Sequence, residues 1–345
     1  MFEKTLSNLE HLAVHLVGNK SKEEELILSA SQSGLDQPTI NIIWHYLQSA
    51  FRDLDFYRFH HPSGLEFNSV FQVAKSLFNN PQSFLSASQK VAQLLYEVSD
   101  HPQVRSGELL VIYFSHLRHA QVEGPALALF KSEKKQPFLF TEEEAQNIEL
   151  YSYQGINPSK VDKAALIFAQ EESEGYQVMA VDNINKGEEA KFWFEQFLRI
   201  QMRSTEFTKT SEIIKVTKSF IDQDLGDETP LEKTESMEYI GRSKDYFELE
   251  EEYNPETYSK QVFEDEAVAD RFREYVRSRD LQNLELDENF AVSEEAVKKK
   301  GRVFKSVIKL DKNFHIYVHG DRSKIEKGVD EDGRQFYKLY YEEED

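Results

Sequence analysis

ELLVIYFSHL, residues 108–117, decides the fold. After Glu108 it runs Leu-Leu-Val-Ile-Tyr-Phe without a charge. A short run of this kind reads as a central strand buried on both faces. GPALALFKS, residues 124–132, follows after a short turn and reads as its hairpin partner. Working outward, residues 148–153, 163–169 and 176–181 are further strand candidates, and the turn EESEGY (171–176) joins the last two as a second hairpin. LEHLAVHLV, residues 9–17, places Leu12, Val14 and Leu16 on one face at strand period, with His11 and His15 on the other.

Helices intervene. In QPTINIIWHYLQSAF (37–51), Pro38 suits a first turn, and Ile40, Ile43, Trp44, Leu47 and Phe51 recur at helical spacing. Residues 68–77 read as a second helix. Residues 83–98 read as a third, with Phe84, Val91, Leu94, Leu95 and Val98 on its apolar side. GEEAKFWFEQFLRIQM (187–202) reads as a helix burying Phe192, Trp193, Phe197 and Ile200.

From Ser204 the pattern turns helical and polar. The best segments are 206–221 and 264–279, the second with an apolar stripe of Val268, Phe272, Tyr275 and Val276. DLGDETPLEKTESMEY (224–239) between them reads as a loop or mobile helical linker. At the end, VFKSVIKL and FHIYVHG form a hairpin around DKN, and QFYKLYY (335–341) reads as a third strand. The expected class is therefore α+β. A mixed α/β N-terminal domain with a largely antiparallel sheet (1–203) precedes an acidic helical region with a linker (204–300). A small C-terminal antiparallel β-meander follows (301–345).

The 345 residues carry 39% hydrophobic and 12% aromatic side chains, enough for a real core rather than wholesale disorder. The cysteine count is 0, which rules out disulfides and thiolate metal sites and fits a reducing compartment. No apolar run approaches the ~20 residues of a membrane helix. The N-terminal MFEKTLSNLEHLAVHLVG lacks the features of a signal peptide. A cytoplasmic protein with no membrane contact is the expectation.

The net charge is -21, and it is segregated. Residues 222–297 hold about 24 acids against 8 bases, whereas 298–327 hold about 10 bases against 3 acids. Affinity for nucleic acid comes largely from lysines and arginines that displace phosphate counterions, so this distribution matters more than its sum. The basic island has three readings. It is a solvated sheet face whose lysines prevent edge pairing, a phosphate-contacting surface, or a patch that docks on the neighbouring acids. The phosphate reading rests on Lys298, Lys299, Lys300 and Arg302 at a helix end, with Lys305 and Lys309 sharing a strand face.

No catalytic motif is present. GxxxxGK[ST], strand-borne GxGxxG, GxSxG and HExxH are all missing. The histidine pairs His11/His15, His60/His61, His116/His119 and His315/His319 read as structural or surface residues, because strand and loop spacings do not converge two imidazoles on one ion. VDKAA offers Asp162 and Lys163 but not the Glu-x-Lys of a metal-dependent nuclease. No catalytic residue, metal or cofactor is expected.

The order of LEHLAVHLV, LLVIYFSHL, VDKAALIFA, FWFEQFLRI and FKSVIKLDKNFHIYVHG resembles that of the NdpA/YejK-type bacterial nucleoid-associated protein family. The resemblance spans nearly the whole chain. It implies a cytoplasmic, nucleoid-associated protein that acts on DNA directly or through DNA-bound partners. The leading expectation is a non-enzymatic, sequence-tolerant DNA binder, with the N-terminal domain as scaffold and homodimerisation unit. One alternative is an acidic adaptor that holds a basic, DNA-bound protein and does not touch DNA. Another is a metal-dependent nuclease.

Overall fold

A computed structural model describes residues 2–3, 7–51, 56–119, 122–184, 192–225, 233–279, 284–304, 306–310, 313–318 and 324–343. The chain divides into two compact units, Met1–Met202 and Arg203–Asp345. The α+β expectation holds.

In the first unit, β1 (Asn8–Val17), β2 (Leu26–Ile27), α1 (Gln37–Ala50) and β3 (Tyr57–Phe59) precede α2 (Ser69–Asn79) and α3 (Phe84–Val98). Then come β4 (Gly107–His119), β5 (Val122–Ser132), β6 (Gln136–Glu144), β7 (Asn147–Gly155), β8 (Lys163–Phe168), β9 (Gln177–Asp182) and β10 (Ile200–Met202). Eight of these strands form one sheet in the order β10-β3-β9-β8-β5-β4-β1-β2, every neighbouring pair antiparallel. β6 and β7 stand outside it as a separate hairpin.

The apolar runs that mark β4, β5 and β8 follow from a sheet covered on both faces. Leu109, Val111, Leu127, Leu129, Ala165 and Ile167 join a core with α2, α3 and Trp193. The alternate residues Ile112, Phe114, Ala128, Phe130, Leu166 and Phe168 join a second core with Trp44 and Leu47 of α1. Two buried faces remove any reason for a polar alternation.

Local signals place the helices. Asp36 caps α1, its carboxylate accepting from Thr39 N at 2.8 Å, with Pro38 in the first turn. Asn68 caps α2 and also donates to the carbonyls of His60, Leu198 and Arg199, which satisfies a fully buried amide. The helix expected to run to Met202 ends earlier. Phe192–Leu198 is π-helical, Arg199 turns at a φ of 51°, and Ile200–Met202 becomes edge strand β10 against β3. Residues 187–191 of that segment lie outside the described residues. Ile200 is buried as expected, but as a strand residue.

His15 has a structural part. Ser29 N donates to its Nδ1 at 3.1 Å, so Nε2 carries the proton and donates to Ser88 Oγ at 3.1 Å. Burial holds its pKa below the ordinary value. Such a group favours folding only while neutral. Stability should therefore fall as pH drops below about 6.5, where the unfolded imidazole takes up a proton, and go on falling to the lower folded pKa. Urea midpoints measured between pH 7.5 and 5 check this, and His15→Gln should flatten the slope.

At one end of the sheet a transverse row reads Leu109, Lys131, Lys163, Asp182 across β4, β5, β8 and β9. Lys131 and Lys163 face each other and are both buried. Glu133 Oε1 lies 2.9 Å from Lys131 Nζ and 3.0 Å from Lys163 Nζ, and Asp182 Oδ1 lies 3.5 Å from Lys163 Nζ. Lys131 also donates to Arg105 O at 2.5 Å. Burial pushes the Lys131 pKa down, with Glu133 opposing that shift. Gly107 opens this end, because a Cβ there would meet Ser132 O at 1.9 Å.

The second unit holds α4 (Glu206–Ser219), α5 (Lys233–Leu249), β11 (Glu252–Tyr253), α6 (Pro255–Phe263), α7 (Glu266–Arg279), β12 (Phe290–Ala291) and α8 (Glu294–Lys300). Two hairpins follow: β13 (Ser306–Leu310) with β14 (Phe314–Val318), and β15 (Ile325–Val329) with β16 (Gln335–Leu339). Of the two readings of the connector at 224–239, its second half takes the helical one, as part of a packed helix. α5 is an ordered helix that buries Met237, Tyr239, Ile240, Tyr246 and Phe247. Glutamates between those positions hide the apolar stripe. Residues 226–232 lie outside the described residues.

An aromatic core of Phe220, Tyr253, Tyr258, Phe263 and Phe272 joins these helices. Inside it runs a chain of hydroxyls. Thr217 donates to Ile213 O, so it accepts from Tyr258 at 2.8 Å, and Tyr258 accepts from Ser243 at 2.7 Å. Tyr258→Phe removes the acceptor of a buried Ser243 hydroxyl and should cost about 1–3 kcal/mol. A lower denaturant midpoint with an unchanged slope would register it.

Candidate nucleic-acid interface

The basic island begins on α8. Ser293 caps this helix, its hydroxyl accepting from Ala296 N at 3.3 Å. Glu294 and Glu295 occupy the first turn and Lys298, Lys299 and Lys300 the last, each sign at the helix end where the macrodipole favours it. Ala296 and Val297 are buried, and α8 packs on α4. The lysines are thus held at a defined place on an ordered helix.

Their partners differ. Lys298 Nζ lies 3.0 Å from Glu294 and Lys299 Nζ 2.9 Å from Glu295, both one turn back. Lys299 Nζ also sits 5.2 Å from the centre of the Phe207 ring. Exposed i,i+4 pairs contribute only ~0.3–0.5 kcal/mol, so a phosphate can displace them. Among the described residues no carboxylate lies within ion-pair distance of Lys300 or of the exposed Arg302. Phe304 is buried, which fixes the chain just beyond Arg302.

Three of the four arginines of α7 have carboxylate partners, while the exposed Arg279 lies over the Tyr275 ring at 5.0 Å. Arg271 binds the Asp224 carboxylate and carbonyl, each at 2.9 Å. Arg273 pairs with Asp270 and donates to Ser259, while Arg277 pairs with Asp287 at 3.4 Å. Arg271 and Arg273 are thus held by partners within the protein, whereas Arg277, Arg279 and the cations of the α8 end are exposed or half-buried.

Four of the six expected phosphate contacts, Lys298, Lys299, Lys300 and Arg302, therefore fall on one helix end and the turn after it. Lys309 lies on β13, its backbone opposite His315 of β14. Lys305 lies outside the described residues.

The Asp162–Lys163 pair is used elsewhere. Asp162 Oδ2 accepts from the backbone amides of Glu133 and Lys134 at 2.6 and 2.9 Å, and Lys163 belongs to the buried row described above. Sequence reasoning missed that the two residues close the end of the sheet. Their burial beside apolar neighbours was the available signal. No group of three or more histidine, aspartate or glutamate side chains among the described residues is placed to hold a metal ion.

The family model described as nucleoid-associated protein YejK matches residues 13–333. The chain belongs to this family. Within the YejK family match lie the whole of α8, Arg302 and β13, so all six expected basic positions are inside the shared region. No curated protein matches the chain. Among the described residues no helix is long and apolar enough to cross a membrane.

Proposed function

We propose that this nucleoid-associated protein binds DNA in the cytoplasm through the basic end of α8 and the turn after it, by electrostatic, sequence-tolerant contact with the backbone. The observation that carries this reading is the pair of cations, Lys300 and Arg302, that no carboxylate among the described residues neutralises, on an ordered helix end beside two weakly held lysines. Lys305 and Lys309, which follow in the sequence, are included in the proposed contact. The flanking acids repel DNA from the rest of the molecule and so limit its approach to this end. The reading includes no catalytic step and no cofactor, and it takes the N-terminal unit as scaffold and self-association unit.

A second reading is an adaptor. Exposed Glu250, Glu251, Glu264 and Glu266 flank α6 and α7 and suit a basic, DNA-bound protein. Titration of purified duplex DNA at increasing salt separates the two. Binding by the chain alone that weakens steeply with salt supports direct contact. DNA association only after a partner is added supports the adaptor and overturns direct contact. Nicking of plasmid in magnesium that disappears on mutating one carboxylate would overturn both in favour of a nuclease.

A further inference from the structure

The β6–β7 hairpin stands outside the main sheet, and it is exposed along nearly its whole length. Each strand has nine residues, which makes an arm of about 30 Å. An isolated two-stranded hairpin is marginal in water, and this one exposes large apolar side chains on both faces. Phe138, Phe140, Tyr151 and Tyr153 pack together on one face, with ring centres 4.7–6.3 Å apart. The other face presents Leu139, Leu150 and Ile148, which are 67%, 63% and 77% exposed. Among the described residues of its own unit, nothing covers that aliphatic face.

The arm's charges say what does. Its tip carries Glu142, Glu143, Glu144 and Glu149. Its base is flanked by Lys134, Lys135 and Lys160. Lys135 is paired with Glu108 at 2.5 Å, while Lys134 and Lys160 have no carboxylate within ion-pair distance among the described residues. A ribbon acidic at one end and basic at the other complements a copy of itself turned end for end. The aliphatic face has the same property. Leu139 lies near the base and Ile148 near the tip, so in an antiparallel pair Leu139 of each arm meets Ile148 of the other.

We propose that a second copy of this chain covers the arm. Two β6–β7 hairpins lie antiparallel about a two-fold axis, aliphatic face to aliphatic face, each acidic tip beside the partner's basic base. A two-fold contact of this kind uses the same patch on both copies and closes at two. The inference rests on the self-association reading above and names its surface. It does not depend on contact with DNA.

The test uses the full chain without DNA. Light scattering at micromolar concentration should give twice the 40.3 kDa chain mass. The exposed triple variant Leu139→Ser, Ile148→Ser, Leu150→Ser should run at the single-chain mass with an unchanged circular dichroism spectrum, its dimer weakened at least about tenfold. The chain has no cysteine, so engineered ones report cleanly. Leu139→Cys with Ile148→Cys should form a disulfide between chains under mild oxidation, because within one arm the two positions are about four residues apart along the strands and too far to bridge. Neither single cysteine variant should do so. A triple variant that stays dimeric, or a double cysteine variant that stays uncrosslinked, overturns the arm as the contact and leaves self-association standing. A single-chain mass for the unaltered protein overturns both.

Discussion

Lys163→Met should lower the stability of the N-terminal unit by about 3–5 kcal/mol, the usual cost of removing one member of a buried ion-pair network. Lys163 is 1% exposed, and it lies between Glu133 at 3.0 Å and Asp182 at 3.5 Å. Methionine fills much the same volume, so the loss is electrostatic rather than a cavity. For a unit of this size the melting point should drop by about 6–20 °C. Both tryptophans, Trp44 and Trp193, belong to this unit, so their fluorescence follows its unfolding separately from the second unit. Adding Asp182→Asn should restore part of the loss, since it removes the buried charge while keeping an oxygen that accepts from Ile184 N. Wild-type stability in the single variant would mean that water reaches the row and the lysine is not needed there.

The second large effect is on DNA. Replacing Lys298, Lys299, Lys300 and Arg302 together by alanine should reduce the slope of log affinity against log salt by about 3–4, close to one unit for each phosphate that the variant leaves unneutralised. The loss of affinity should be the same for unrelated duplexes, because backbone contacts position the protein and carry no sequence information. Replacing Arg271 of α7 should leave the slope nearly unchanged, since its guanidinium is already held by both the carboxylate and the carbonyl of Asp224. All four α8-end residues are exposed or half-buried, so thermal unfolding of the variant should match the unaltered protein. An unchanged slope in the fourfold variant would remove α8 from the interface.

The interior strands β4, β5 and β8 of the main sheet were legible because their burial is two-sided. Leu-Leu-Val-Ile-Tyr-Phe in β4 and Ala-Leu-Ala-Leu-Phe in β5 need no alternation when α1 covers one face and α2 and α3 the other. β6 was not legible. QPFLFTEEE mixes turn-like, apolar and acidic residues, because an arm outside the sheet has no buried side to impose a period. Helix α5 was hidden for a related reason: its glutamates and lysine interrupt the stripe that buries Met237, Ile240 and Phe247. In β1 the faces were read correctly, but their burial was not. His15 is buried and Leu16 is 37% exposed, because α3 brings Ser88 to the imidazole.

The island itself was visible as a change of charge along the chain. Its state of pairing was not. Glu294 and Glu295 stand four residues before Lys298 and Lys299, so those two pairs follow from helical spacing once the helix is known. The pairing of Arg271 with Asp224 joins residues far apart in the chain and depends on how α7 packs.

By itself the sequence determined the α+β class, the strands of the sheet interior, the helices α1 and α2, and the place where positive charge collects. Each of these depends on neighbouring residues or on composition over a short window. Tertiary structure alone decided which charges are neutralised, that Asp162 and Lys163 close the end of a sheet, and that β6 and β7 form a separate hairpin outside it. These depend on residues brought together across the fold, where burial removes the solvent that would otherwise screen a charge or cover an apolar face.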